Sequence, residues 1–593
     1  MSAVLETKAL LKGAHFLVKP TKDMDIFCPE DFNEEQKMVG ETALQFVLQD
    51  HLPLADRMEH GEHDLNRDLL RKLGELGLLG AHMPEEYGGM AMDENTNSII
   101  TESIGRTGAF STTFGAHTGI GMLPILYFGT EEQKQKYLPE LIEGTKVACY
   151  CLTEPGSGSD ALAAKTRADL SEDGSHYILN GQKMWISNAG FADVFIVFAK
   201  IDGTAFTGFI VEKGWQGLTL GAEEKKLGIK GSSTRQVFFE NVKVPVENLL
   251  GEEGRGHLIA FNVLNTGRFK IGPSALGGTK GLVDVAVNYA KERKQFGQTI
   301  SNFGAIKSKL AEQFIQTYAV ESSVYRTSGL IEDYVQELKS EGKAFAEAKL
   351  EAAEEYALES SILKVTATDI VNQVADECVQ IHGGMGYSEE TMAARGYRDS
   401  RIAMIYEGTN EINRMLMLNL IYKRAMKGAL DIVTPAMKVQ QELLTGQNGQ
   451  YDYSSQEEKS LSNYKKLGIM LIGSLGQLVM KGKIDLKQEQ ELLMNLANIV
   501  NEVYLAESIY LRAQKYSSEI SEAITQVYFR AANENIRKEA LEAIGSFVKE
   551  GQMDGYQKAV TKFCSYPLKN VKGLKRSIAD YLIAQGKYTT EFV

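Results

Sequence analysis

The chain has 593 residues, and its 64 Lys plus Arg against 78 Asp plus Glu leave a net charge of −14. At ~150 residues per domain this length suggests about four domains or subdomains. An apolar content of 43% excludes large-scale disorder, and the acidic balance without a long basic run argues against nucleic acid as a partner. Five scattered cysteines (Cys28, Cys149, Cys151, Cys378, Cys564) are too few for a disulfide framework and point to a reducing compartment.

Residues 1–29 form an N-terminal extension that has no apolar signal core and is poor in arginine, so neither a secretory nor a transit peptide is expected. Residues 30–145 read as a helical domain. PEDF (29–32) supplies an entry turn, EEQKMVGETALQFVLQDHL (34–52) carries apolar residues at helical spacing, and further runs follow at 67–79, 94–107 and 131–143. Residues 146–255 change texture: HYILNG, DVFIVFAK, FTGFIVE and RQVFFENVKVP are rich in β-branched and aromatic residues and punctuated by Gly, Asn and Asp, the signature of strands and turns.

Helical periodicity returns over 256–430, with long runs at 256–292, 303–332, 345–378 and 411–428. The polar stretch TGQNGQYDYSSQEE (445–458) reads as a linker within an additional helical domain, 431–593. The longest apolar stretch, 467–480, is broken by Ser474 and Gln477 and falls short of the roughly 20 residues a membrane span needs. A cytoplasmic protein is expected, with any membrane contact peripheral on the inner face. The fold class is α+β and mostly α.

Several segments carry candidate chemistry. The loop ACYCLTEPGSGSD (148–160) combines small residues, a proline and the hydroxyls of Thr153, Ser157 and Ser159, an inventory that suits a polar ring edge or a phosphate as well as a plain loop. It lacks the strand–GxGxxG–helix order of a Rossmann site. In KMWISN (183–188), Trp185 is either a stacking platform for an aromatic cofactor or a core residue. The glycines of QIHGGMGYSEE (380–390) allow a ligand close to the backbone or simply cap a helix.

In IYEGTNEINRMLMLNL (405–420), Asn410 is a candidate N-cap, and Glu407 precedes it between apolar neighbours. There its carboxyl is either desolvated toward the pKa of a working base or solvated like most glutamates. Arg293 can pair with a phosphate or serve as a helix C-terminal cation. EHGEHD (59–64) has the look of a metal cluster, but two histidines among acids are more often a solvated face, and no metal is expected. Gly115, Gly119 and Gly121 in FGAHTGIG (114–121) strip one helix face of bulk, which suits either a deep pocket or tight helix packing.

Together these segments resemble the acyl-CoA dehydrogenase family. CLTEPGSGSDALA (151–163) is similar to its first signature and QIHGGMGYSEETMAARGYRD (380–399) to its second, while KMWISN, LGIKGSSTRQVFFENVKVP (227–245), ERKQFG and IYEGTNEI match in family order. The resemblance implies an N-terminal helical domain, a central β-barrel or sandwich and a C-terminal four-helix bundle. It also implies FAD between the last two.

Tyr150, Cys151, Leu152, Thr153, Gly158 and Ser159 would contact the isoalloxazine, with Ser159 also meeting the CoA portion. Trp185, Ile186 and Ser187 would flank the flavin, and Thr409 and Glu411 would line it. Arg293 and Phe296 would reach the pyrophosphate and adenine end across a subunit interface, as would Gln380, Ile381, His382, Gly383 and Gly384. Asn265, Arg268, Tyr406 and Gly408 are implied substrate contacts, with Gly115 and Gly119 deeper in the pocket.

By the same resemblance Glu407 is the base that takes the α-proton of an acyl-CoA thioester while a β-hydride passes to flavin N5. Some branches carry the base just before the arginine matched by Arg268; here that position is Gly267. The extra domain resembles that of the very-long-chain branch, which implies a homodimer, membrane association and long acyl chains. The reading is therefore fatty acid β-oxidation, with electrons passed to an electron-transferring flavoprotein. The alternatives are an oxidase using O₂ and a non-catalytic scaffold on the same fold.

Overall fold

The computed structural model describes residues 10–445 and 452–592. Its N-terminal helices are α1 (Glu34–Phe46), α2 (Ala55–Glu59), α3 (Leu65–Glu75), α4 (Glu94–Gly105), α5 (Ala109–Gly115), α6 (Leu123–Phe128) and α7 (Glu131–Ile142). Local chemistry sets several starts: Asn33 with Gln36 and Thr130 with Gln133 form capping boxes at α1 and α7, and Asp93 accepts from Thr96 at α4. The run predicted over 34–52 is regular only to Phe46, then widens into a π turn, Val47–His51. A second π turn, Ala116–Gly121, follows α5.

The strands are β1 (Ala148–Cys151), β2 (Arg167–Leu170), β3 (His176–Ser187), β4 (Val194–Ile201), β5 (Ala205–Glu212), β6 (Leu218–Glu223), β7 (Thr234–Pro245) and β8 (Leu249–Leu250). They form one sheet in the order β6-β7-β3-β2-β4-β5-β8, with β1 added parallel to β4. Strand β4 is buried on both faces. Val194, Ile196 and Phe198 share a core with Leu126, Leu138 and Ile142, whereas Phe195, Val197 and Ile201 share one with Leu179, Val237 and Val242. The sheet thus encloses a core of its own and offers its outer face to α6 and α7.

Beyond it run α8 (Gly256–Glu292), the hairpin β9 (Lys294–Gln295) and β10 (Gln298–Thr299), α9 (Gly304–Ser340), α10 (Phe345–Glu355), α11 (Ala357–His382), α12 (Met392–Ser400) and α13 (Asn410–Met426). The run expected over 345–378 is two helices, because the backbone leaves helical geometry at Tyr356. Helices α8, α9, α11 and α13 pack side by side through Leu276, Val283, Phe314, Leu363, Val374 and Met417.

The remaining helices are α14 (Val433–Thr445), α15 (Gln456–Met480), α16 (Gln490–Lys515), α17 (Glu519–Phe547), α18 (Glu550–Phe563) and α19 (Val571–Gln585). Part of the linker expected over 445–458, residues 446–451, lies outside the described residues. Leu467, Val500, Ile536 and Leu582 belong to the same apolar core as the α8–α13 bundle, so the last helices are an extension of it. The segment from residue 10 onward straps both. The amides of Gly13 and Ala14 donate to Glu355 and Glu359, and the Thr21 hydroxyl donates to Glu507. Among the described residues no helix is long and apolar enough to cross a membrane.

Candidate active site

Glu407 lies on the irregular turn between α12 and α13, and its φ of +55° is a conformation that side chains rarely adopt. Asn413 holds the turn: its Nδ2 donates to the carbonyls of Gly408 (2.8 Å), Thr409 (3.0 Å) and Glu407 (3.4 Å). Strain sustained by such over-determination clusters at functional sites. The expected cap at Asn410 is corrected: Thr409 caps α13, accepting from Ile412 N at 3.3 Å. Asn410 is instead buried and binds Lys364 (2.6 Å), Thr368 and Asp369. Of two adjacent residues able to cap, tertiary partners claim the second.

The Glu407 carboxyl leans on α8. A Cβ at Gly267 would stand 2.9 Å from Oε2, so any side chain there would push the carboxyl from this position. Oε2 is shut from solvent and has no hydrogen-bond partner among the described residues. Burial pushes its pKa up to about 7, against the opposing pull of Arg268 and Lys364. The backbone N–H of Glu407 is likewise without a partner among the described residues. Arg268 is held by Asn265 at 2.8 Å, with its Nε unpaired. Burial lowers the Lys364 ammonium to about 8. The Tyr150 hydroxyl, buried and unpaired, is close enough to be pushed up by Glu407 as well as by burial. Burial and Glu407 together raise Tyr406 to about 12.

The loop after β1 is clamped at its base and open at its tip. The buried Glu154 accepts from Lys183 (2.7 Å) and from the amides of Lys165 and Thr166, and the Thr153 carbonyl accepts from Met184 N. At the tip, Ser159 is exposed, and a Cβ on Gly156 or Gly158 would meet nothing. Cys151 and Ile186 turn their side chains into the sheet core, which leaves only their backbone for a ligand. Leu152 packs against the outer core. The core alternative for Trp185 is excluded: it sits at a bulge of β3 with φ +61° and is 52% exposed, with Ser187 beside it.

Arg293 and Phe296 are on the exposed β9–β10 hairpin, Phe296 being 93% exposed. Tyr289, one turn earlier, stacks on His382 at 4.1 Å and donates to its carbonyl, so the hairpin and the Gln380–Gly384 turn share one end of the bundle. Ile381 and His382 face the protein, whereas Gln380, Gly383 and Gly384 are exposed. Arg293 and Arg268 are separated by 25 residues of α8, about 37 Å at 1.5 Å per residue, so one chain does not bring this end to Glu407.

The glycines of 115–121 divide. A Cβ at Gly115 would meet nothing and at Gly119 only Lys270 Cδ (3.8 Å), whereas Gly121 is packed on Ala148. His60 and His63 take separate partners, Asp56 and Lys230, and no metal-holding group of three ligands occurs among the described residues. Sequence reasoning missed Lys364, Asn413 and the Glu154–Lys183 clamp. Asn413 had a signal, an amide side chain in the first turn after the motif, whereas Lys364 reaches Asn410 from a separate helix.

The residues able to hold a flavin fit one. Open glycine turns, an exposed tryptophan on the strand after the first of them, and unpaired buried hydroxyl and carboxyl groups at Tyr150 and Glu407 are the donor set and the space that a planar, hydrogen-bonding ring system needs. Family comparison matches residues 33–145, 149–242 and 254–422 to the N-terminal, middle and C-terminal domains of acyl-CoA dehydrogenase, and 463–560 to a further acyl-CoA dehydrogenase C-terminal domain.

A probable acyl-CoA dehydrogenase of Bacillus subtilis is 42% identical over 98% of both chains. The human mitochondrial very long-chain specific acyl-CoA dehydrogenase is 38% identical over 72% of this chain and 63% of its own. The crystal structure of a Bacillus anthracis acyl-CoA dehydrogenase complexed with FAD superposes with a TM-score of 0.94 at 44% identity, covering 98% of this chain and all of the other. This protein belongs to the acyl-CoA dehydrogenase family.

Proposed function

We propose that this protein binds FAD and oxidises long-chain fatty acyl-CoA to trans-2-enoyl-CoA, with Glu407 as the base and an electron-transferring flavoprotein as the acceptor. The observation that carries the reading is the state of Glu407. A carboxyl pushed up to about 7, unpaired at Oε2 and fixed by a strained turn, is suited to take a weakly acidic proton near neutral pH. Bound FAD supplies the hydride acceptor for Cβ.

The chain's own residues do the rest. The Glu407 carboxylate removes the α-proton, and the Cα–H electron pair becomes the new double bond as the β-hydride leaves. Negative charge developing on the thioester oxygen is met by the unpaired Glu407 N–H, an oxyanion-hole role. The Glu154–Lys183 clamp fixes the base of the loop that carries Thr153 and Ser159, which would hold the flavin. Gly115 and Gly119 leave the acyl cleft open where side chains would shorten it, which supports a long chain.

The exposed Phe296 and the open turn at Gly383 support a homodimer in which a second copy covers this end and helps hold the cofactor. Anaerobic flavin bleaching by saturated acyl-CoAs of increasing length tests the reading. We expect bleaching that strengthens toward long chains. A short-chain optimum removes the cleft argument, and no bleaching with any chain removes the enzyme.

A further inference from the structure

Lys270 stands on α8 one turn beyond Gly267, the glycine that receives the Glu407 carboxyl, and its Cδ lies across from Gly119. On the acyl-CoA reading this puts it along the acyl path between the base and the glycines Gly115 and Gly119. It is not a surface lysine. It keeps only partial exposure, and burial lowers its ammonium to about 8. Its hydrogen-bonding neighbour among the described residues is His82 Nε2 at 3.3 Å. His82 is itself buried, and burial together with Lys270 keeps the ring neutral.

The charged groups packed behind this pair are already engaged. Glu94 accepts from Lys349 (2.9 Å) and Asn97 (2.8 Å), and Glu332 lies 3.7 Å from Lys349 and accepts from Gln336. An ammonium has three donors, and this one spends a single donor on a neutral ring. Glu94 is the carboxylate whose charge favours the Lys270 ammonium, but Lys349 draws on the same carboxylate and burial still outweighs it, so an anionic ligand would add a partner that the protein does not supply. A saturated hydrocarbon chain running past Lys270 would leave that burial uncompensated, whereas an oxygen anion on the chain would offset it.

We infer that Lys270, backed by His82, is a specificity-determining residue of the acyl cleft, and that it selects acyl-CoA substrates bearing a carboxylate at the distal end of the acyl chain. This inference rests on the acyl-CoA reading of the site. Chain length then decides whether the carboxylate reaches it.

The test is anaerobic flavin reduction of the holoenzyme by adipoyl-, suberoyl-, sebacoyl- and dodecanedioyl-CoA, each against the saturated acyl-CoA of the same length. At the length that reaches Lys270 the carboxylated substrate should exceed its partner in kcat/KM by roughly tenfold or more. Lys270→Met should reverse that preference, weakening the carboxylated substrate and improving the saturated one. Preference for the saturated chain at every length in the unaltered enzyme overturns the inference without recourse to the variant, and so does a preference that Lys270→Met leaves in place. Failure of both series to bleach the flavin overturns the acyl-CoA reading itself, an outcome separate from reduction by the saturated series alone.

Discussion

Glu407 and Glu507 are both glutamates placed out of water, and the protein treats them in opposite ways. Glu507, on α16, is fully buried. It is met by Arg326 from α9 at 2.8 Å, by Lys465 from α15 and by the Thr21 hydroxyl at 2.6 Å. Burial pushes its carboxyl up, but Lys465 and Arg326 more than reverse this and hold it below the usual range. Beside it Arg512 pairs with Glu321 and Glu30, which ties α16 to α9 and to the N-terminal strap. Around Glu407 the nearby cations, Arg268 and Lys364, make no ion pair with it, and burial wins. Where every buried charge is paired the structure is being joined; where one is left unpaired it is free to move a proton.

The same substitution at the two sites therefore separates the roles. The largest effect is expected from Glu407→Gln, an isosteric change that removes the base and keeps the shape. Flavin reduction by acyl-CoA should fall by roughly 10²–10⁴-fold, while the flavin spectrum still shifts on acyl-CoA binding. Rapid-mixing absorbance reads both. Reduction at an undiminished rate would assign the base elsewhere and dissolve the comparison.

Next in size is Glu507→Gln, which leaves Arg326 and Lys465 buried without their shared anion. Breaking a buried pair of this kind costs about 3–5 kcal/mol, and denaturant unfolding should show it as a lowered midpoint. Flavin reduction measured on the folded fraction should be affected far less than by the change at Glu407. An unchanged midpoint would show that the network joins nothing.

The two sites were unequally legible in the amino-acid sequence. The alternation of helical and β segments was readable because periodicity and glycine punctuation are local, and Glu407 could be singled out from its neighbours on the chain. The split at Tyr356 was not readable, nor was the helix Val433–Thr445 or the π turn at Ala116–Gly121, since each answers to packing against distant residues. Thr409 and Asn410 look alike as caps, and only Lys364, on another helix, decides between them. The network around Glu507 draws on Thr21, Arg326 and Lys465, the first two 486 and 181 positions away along the chain, and none carries a local mark.

The smallest effect sharpens the comparison most, because its sign differs between the sites. A carboxyl whose pKa is raised on folding binds more protons in the folded state than in the unfolded state between its usual value and about 7. Stability then falls as pH rises through that window. Glu407→Gln abolishes this loss, so the variant should melt at a higher temperature than the parent at pH 8 and close to it near pH 4.

Glu507 is the reverse case. Its pKa is lowered on folding, so its contribution is present above the usual carboxylate range and fades only in acid. Glu507→Gln should consequently melt lower than the parent at pH 8, with the gap narrowing on acidification. The rate of flavin reduction carries the matching signature: it should rise with pH with a midpoint near 7, as Glu407 ionises. Thermal melts of the two variants at both pH values, set beside that profile, test whether one glutamate is held for chemistry and the other for assembly. Melting shifts of the same sign at pH 8 would refute that division.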